Sequence, residues 1–97
     1  MQKLEQLLKT TYHFDVSYSY SMMFVYVDFE IKAERQDIVE DIVDYVKANL
    51  PVGTEITKEL SGYLINGVGT KLYVASLSFT VYTEDFESVK KLFATLE

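Results

Sequence analysis

The fold is decided by residues 24–32, whose sequence is FVYVDFEIK. Aliphatic or aromatic side chains occupy every second position, and mostly polar or aromatic side chains stand between them. Because side chains of a β-strand alternate between the two faces of a sheet, this pattern predicts an antiparallel strand with one face in the core. The inward-facing residues are Val25, Val27, Phe29 and Ile31.

The same alternation predicts three further strands. The first covers residues 12–20 and turns inward Tyr12, Phe14, Val16, Tyr18 and Tyr20. The last covers residues 72–82 and turns inward Tyr73, Ala75, Leu77, Phe79 and Val81. Residues 55–65 predict a less regular strand, in which Gly62 marks a bulge or a bend. The turn after it contains Asn66, Gly67 and Gly69, which favour the positive φ angles of a hairpin.

Helical periodicity occurs in three other segments. Residues 2–10 predict a short helix, and residues 34–49 predict a middle helix that ends before Pro51 and Gly53. A last helix follows Thr83, which is a favourable N-cap residue. The predicted buried side chains of the middle helix are Ile38, Val39, Ile42, Val43, Tyr45 and Val46. Those of the last helix are Phe86, Val89, Leu92, Phe93 and Leu96.

These elements predict one α+β domain over residues 1–97, with a four-stranded, largely antiparallel sheet and helices on one face. The order is a short N-terminal helix followed by ββα-ββα. A shift of 50 residues superposes buried positions of the two halves, such as Val25 on Ala75 and Val39 on Val89. The alternative is a ferredoxin-like arrangement that lacks its last strand.

The composition limits the classes of function. The chain has no cysteine, so disulfides, thiolate metal sites and cysteine nucleophiles are excluded. Nine basic and fifteen acidic residues give a net charge of −6, which attracts basic surfaces and repels nucleic acid and anionic membranes. No apolar run approaches the roughly 20 residues needed to span a bilayer. We therefore expect a soluble, cytoplasmic protein that binds neither membrane nor nucleic acid directly.

The residues that could carry catalysis are few. His13 is the only histidine, and no motif surrounds the serines to make one of them a nucleophile. The segment from Gly67 to Thr70 lacks the lysine of a phosphate-binding loop. Pairs of carboxylates lie along outward faces, where side chains diverge instead of converging on a substrate or a metal ion. We expect no enzymatic activity, no metal and no cofactor.

Acidic residues gather on the exposed side of the middle helix. They are Glu34, Asp37, Glu40, Asp41 and Asp44. Four of them, Glu34, Asp37, Asp41 and Asp44, run down one stripe, and with a helix rise of about 1.5 Å per residue neighbours in this stripe lie roughly 4.5–6 Å apart along the axis. A nucleic-acid strand advances about 3.4 Å per phosphate. The stripe therefore predicts a surface that binds a basic groove of a partner protein. Asp28 and Glu30, at a strand edge, are predicted to belong to the same binding surface. An ordinary solvated helix face is the alternative.

The sheet face opposite the core is partly aromatic. It is predicted to carry Phe24, Tyr26, Val74 and Tyr82. A half-apolar sheet face is typical of an interface, so a homodimer is possible. Aromatic side chains on a sheet also stack RNA bases in some modules, but the negative charge of this chain argues against direct binding of nucleic acid.

A single acidic, cysteine-free domain with the runs Glu34-Arg35-Gln36-Asp37 and Glu40-Asp41 resembles the small phage-encoded inhibitors of bacterial defence. It is most similar to type I-F anti-CRISPR proteins, some of which imitate DNA in the channel of the surveillance complex. The resemblance implies a non-catalytic inhibitor of a CRISPR–Cas surveillance complex in the host cytoplasm. Arg35, Lys47, Lys90 and Lys91 depart from an all-acidic decoy. Two other functions stay open: a self-associating structural or adaptor domain that uses the outer sheet face, and an enzyme or small-molecule binder.

Overall fold

A computed structural model describes residues 12–65 and 67–97 of the chain. The elements are β1 (His13–Tyr20), β2 (Phe24–Ala33), α1 (Gln36–Ala48), β3 (Glu55–Ile65), β4 (Lys71–Tyr82), a 3₁₀ turn (Thr83–Asp85) and α2 (Phe86–Leu96). The predicted α+β class is confirmed. The helix predicted over residues 2–10 lies outside the described residues.

The sheet has the strand order β1-β2-β4-β3, and all neighbouring strands are antiparallel. The two central strands, β2 and β4, pair symmetrically about Asp28 and Ser78, which lie directly opposite each other. These two residues are 50 positions apart in the chain. The 50-residue shift that relates the two halves of the sequence therefore also relates the two residues paired at the centre of the sheet.

The connection from β2 through α1 to β3 explains the ferredoxin-like alternative. β2 and β3 are both antiparallel to β4, which lies between them, so they run parallel to each other. This is a split β-α-β unit. β1 occupies the edge beside β2, where the last strand of a ferredoxin-like sheet would lie. The two architectures considered from the sequence thus describe closely related sheets.

Both helices pack on one face of the sheet and enclose a single core. The inward residues of β2 are at most 3% exposed. The Phe93 ring of α2 stacks on Phe29 of β2 with centroids 5.1 Å apart, and on Phe79 of β4 at 6.4 Å. At the end of α2, the Tyr12 hydroxyl donates to the Leu96 carbonyl at 2.5 Å. Near-parallel rings join α2 to β2 and β4, and this bond joins it to the residue that precedes β1.

The two edges of the sheet differ in how far they are covered. In β1, Phe14, Val16 and Tyr18 are half-buried and pack against the core. The last inward residue predicted in this strand, Tyr20, is 67% exposed, although its ring contacts the edge of Phe86. Every residue of β3 is exposed. The helices therefore cover β1, β2 and β4 and leave β3 open on both faces.

The prediction of a bulge at Gly62 is wrong, and the prediction for the turn before β4 is confirmed only at Gly69. Gly62 pairs regularly with Val74, and the irregularity lies instead between Ile56 and Lys58. The extra residue there is Thr57, whose hydroxyl donates to the Ser78 carbonyl at 3.2 Å, so a side chain bonds to the backbone beside the irregular pairing. In the turn before β4, positive φ occurs at Gly69 but not at Gly67. Asn66 lies outside the described residues.

The helix starts also differ from the prediction. α1 begins at Gln36, because Glu34 and Arg35 lie in the connection after β2 and Arg35 has extended φ and ψ angles. Thr83 does not cap α2, whose N-cap is Asp85. The Thr83 amide donates to the Met23 carbonyl at 2.9 Å. This bond continues the pairing of β2 with β4 by one residue, and the 3₁₀ turn Thr83–Asp85 lies between it and the helix.

Candidate functional site

The acidic side chains of α1 form one outward face, which we call the acidic face and define as Asp37, Glu40, Asp41 and Asp44. At about 100° per residue, these positions lie within roughly 100° of one another around the helix axis, opposite the buried side. Asp37, Glu40 and Asp44 are exposed, and Asp41 is half-buried. Glu34 precedes the helix, so the predicted stripe loses its first member.

Within the acidic face, the charges are compensated to different degrees. Asp37 accepts hydrogen bonds from Arg35, with Nε 3.1 Å from Oδ1 and Nη2 2.5 Å from Oδ2. Glu40 and Asp44 form no ion pair with any residue in the described ranges 12–65 and 67–97. These two carboxylates, separated by one helical turn, therefore carry the uncompensated negative charge of α1.

A groove of about 230 Å³ lies beside the acidic face, between α1 and the strands β3 and β4. Its apolar side chains on the helix face are those of Val39, Val43 and Ala75, whereas Leu60 borders the groove with its backbone and directs its side chain to the outer face. Glu40 and Asp44 line it from the helix, and Glu59 lines it from β3. Apolar surface flanked by carboxylates suits the aliphatic stem and cationic head of a lysine or arginine side chain.

Sequence reasoning missed Glu59 as part of this site. The residue belongs to a different element from α1, and only the pairing of β3 with β4 brings the two together. Lys47 of α1 spans the gap, with its Nζ atom 3.1 Å from both carboxylate oxygens of Glu59. No local periodicity contains this long-range relation, since the two residues are 12 positions apart and lie in different elements.

Asp28 and Glu30 do not belong to the acidic face. They were predicted at a strand edge, but β2 is a central strand and both side chains point away from the helices. Asp28 accepts a hydrogen bond of 2.5 Å from Ser78, whose side chain is almost fully buried. Glu30 lies 3.5 Å from the Nζ atom of Lys32. The sheet separates these two carboxylates from those of α1.

The outer sheet face carries the aromatic residues that the alternation predicts. Phe24, Tyr26 and Tyr82 are 37–42% exposed, and the rings of Phe24 and Tyr82 lie 5.2 Å apart. Val74 is half-buried on the same face. The contact between the rings of Phe24 and Tyr82 reduces the surface that each of them exposes. Self-association through this face stays a prediction.

The residues considered for catalysis are dispersed. His13 is exposed at the start of β1. In the part of the chain that the structure describes, no three His, Asp or Glu side chains are grouped so as to hold a metal ion. Burial raises the pKa of Tyr12, and burial followed by the charges of Tyr20 and Glu97 raises that of Tyr18. These shifts belong to tyrosines packed between β1 and α2 and not to a pocket.

The acidic face and its groove therefore form the candidate functional site. Among the described helices, none has the length and apolarity that crossing a membrane requires. No protein-family model matches the chain, and no curated protein matches it in sequence.

Proposed function

We propose that the protein is a non-catalytic, DNA-mimicking inhibitor that occupies the nucleic-acid-binding site of a basic partner. The partner class that the sequence resemblance implies is a bacterial CRISPR–Cas surveillance complex of type I-F. The observation that carries the proposal is the pair Glu40 and Asp44. Both are exposed on one side of α1, and neither is paired with a described cation.

The spacing of the carboxylates supports this choice of partner. Along the helix axis, Asp37 and Glu40 are separated by about 4.5 Å, and Glu40 and Asp44 by about 6 Å. A cationic groove that binds successive phosphates, about 3.4 Å apart along the axis, presents charges at a comparable interval. Negative charge at this spacing on a rigid helix needs no rearrangement before it binds.

The groove beside α1 adds a second element of recognition. A lysine or arginine of the partner can extend over Val39, Val43 and Ala75, which are 3–7% exposed, while its head group reaches Glu40, Asp44 or Glu59. The groove thus adds a shaped surface to the pairing of charges.

The proposal is tested by measuring the affinity of the purified type I-F surveillance complex for variants of equal net charge. Glu40→Lys with Asp44→Lys should weaken binding by at least about tenfold, because two attractive contacts become repulsive. The matched control is Glu84→Lys with Glu87→Lys, which changes the same number of charges at the start of α2. Both glutamates of the control are exposed.

The control should bind within about threefold of the wild type. Equal losses in the two double variants would mean that bulk charge determines binding, and the proposal of a localised acidic face would be wrong. Absence of binding by the wild-type protein would reject the surveillance complex as the partner. Circular dichroism spectra and melting temperatures of all variants verify that the fold is retained.

A further inference from the structure

The open edge of β3 differs along its length. Its first half contains Glu55, Lys58 and Glu59 and the irregular pairing between Ile56 and Lys58. Charges and bulges are the features that keep an edge strand from pairing with another chain. Residues 60–65, with the sequence LSGYLI, contain no charge, no proline and no irregularity. This half of the edge is unprotected.

The unprotected half is also apolar on both faces. Leu60 and Leu64 point to the outer face and are 56% and 54% exposed. Tyr63 and Ile65 point to the helix face and are 58% and 64% exposed. An ordinary edge strand exposes one polar face to solvent, whereas this one exposes large apolar side chains on both sides together with unpaired backbone groups.

The side chains along this segment are complementary to a reversed copy of themselves. If two β3 strands pair in antiparallel fashion about Gly62, that residue meets Gly62 of the second copy at the two-fold axis. Leu60 then lies opposite Leu64 on the outer face, and Leu64 opposite Leu60. Ser61 lies opposite Tyr63 on the helix face. The two small residues in the middle leave room for the larger side chains beside them.

No like charges meet in this register. Glu59 lies opposite Ile65 of the second copy, and Ile65 is paired with Lys71 of its own β4. Glu59 of one copy and Lys71 of the other therefore stand in one cross-strand row, two strand spacings or about 10 Å apart between backbones. Within its own chain Glu59 is paired with Lys47, and Lys71 lies over the Tyr63 ring, so the row brings opposite charges into line without requiring a new ion pair. The charged residues Glu55 and Lys58 fall beyond the paired segment.

We infer that the occupant of this edge is a second copy of the chain, which joins the two sheets into one of eight strands. The paired segment spans about seven residues, or roughly 24 Å at about 3.4 Å per residue. An interface of this length is at the small end of the range for specific complexes. We therefore expect a dissociation constant of the dimer in the micromolar range. The inference does not depend on the proposed inhibitor function.

The register is tested with single cysteines, because the wild-type chain contains none. A Cβ atom added at Gly62 meets nothing within 4 Å, so Gly62→Cys should fold. Directly opposite residues of an antiparallel pair have Cα atoms about 4.5–5.5 Å apart, which is within the range for a disulfide. The control is Met22→Cys, at a site that is 98% exposed in the turn between β1 and β2.

Under mild oxidation at about 50 µM protein, Gly62→Cys should form a disulfide-linked dimer at least tenfold faster than Met22→Cys. Sedimentation of the wild type between about 5 and 500 µM should show a monomer–dimer equilibrium that stops at the dimer. Equal crosslinking rates would overturn the inference, as would a wild-type protein that stays monomeric at 500 µM. In that case a strand from a different protein would be the remaining occupant of the edge.

A charge exchange provides a further test that does not use cysteine. Leu60→Lys with Leu64→Lys should abolish the dimer, and so should Leu60→Glu with Leu64→Glu, because like charges then face each other across the axis. An equimolar mixture of the two variants should restore a heterodimer. Failure of the mixture to associate, while each variant retains the wild-type melting temperature, would contradict the proposed register.

Discussion

Replacing Glu40 by lysine should stabilise the protein, although the residue is central to the proposed site. Glu40 lies three positions after Asp37 and four before Asp44, so it takes part in two like-charge pairs on the surface of α1. Each such pair costs roughly 0.2–0.5 kcal/mol, and an attractive pair contributes a similar amount. Reversing both pairs should therefore raise the free energy of unfolding by about 1 kcal/mol.

The same substitution in the second helix should have the opposite effect. Glu87 lies in the first turn of α2, where a negative charge is favourable, and its carboxylate is 3.6 Å from the Nζ atom of Lys90. Lys91 stands four positions after it. Glu87→Lys turns two attractive pairs into repulsive ones at a helix N-terminus, so it should lower stability by about 1–2 kcal/mol.

The two variants form a matched pair, because each changes the net charge from −6 to −4. Urea unfolding followed by circular dichroism at low ionic strength measures both, and 1 kcal/mol moves the midpoint by roughly 0.5–1 M. The difference should shrink in about 0.5 M salt, since exposed charges are screened. Stability changes of the same sign would refute the reasoning, because they would show that total charge and not local pairing governs α1.

Three other substitutions probe the core, the end of α2 and a turn. Phe93→Ala removes a ring that stacks on three other rings, so it should lower the free energy of unfolding by about 4 kcal/mol. A loss below about 1.5 kcal/mol in urea unfolding would contradict this packing. Tyr12→Phe removes the hydroxyl bonded to Leu96 and should cost about 1 kcal/mol at pH 7. Because burial raises the pKa of Tyr12 and Tyr18 above 10.0, wild-type stability should be full below pH 10 and fall as the pH rises through the folded-state values. Tyr12→Phe should make the loss of stability above pH 10 smaller. An unchanged dependence of stability on pH would argue against a contribution from the Tyr12 hydroxyl. Gly69→Ala places a side chain at a backbone φ of +84 and should lower the free energy of unfolding by about 1 kcal/mol. The melting temperature should fall accordingly, and an unaltered melting temperature would show that the turn relaxes.

Much of the fold follows from local pattern. In β2, the inward residues alternate without exception, and the structure buries all of them. The buried residues of both helices also follow directly from their spacing. Such predictions succeed because burial repeats with the period of the element itself, so a short stretch of sequence contains all the information needed.

The features that could not be predicted depend on contacts between distant residues. Thr83 is a favourable cap residue by type, but its amide is bonded to Met23 in another turn. The strand irregularity lies at Thr57, beside the hydroxyl bond to Ser78, and not at the glycine that sequence alone favours. In neither case does residue type alone determine the local structure.

In the candidate site, too, some residues follow from local spacing and others depend on long-range contacts. Helical spacing placed Asp37, Glu40 and Asp44 together on the exposed side of α1, as the structure has them. The apolar groove and the contribution of Glu59 required the position of β3, which the sequence does not specify. Local spacing could therefore predict one wall of the site, while the opposite wall depends on how the sheet is assembled.

Under the proposed function, the protein and DNA compete for one basic site on the partner. Equilibrium binding of the wild-type protein to the purified surveillance complex, measured at increasing concentrations of double-stranded target DNA, tests this most directly. The apparent dissociation constant should rise in proportion to the DNA concentration, without reaching a plateau. An apparent dissociation constant that levels off, or that does not change with the DNA concentration, would mean that the protein and DNA bind the complex at the same time. That result would contradict DNA mimicry.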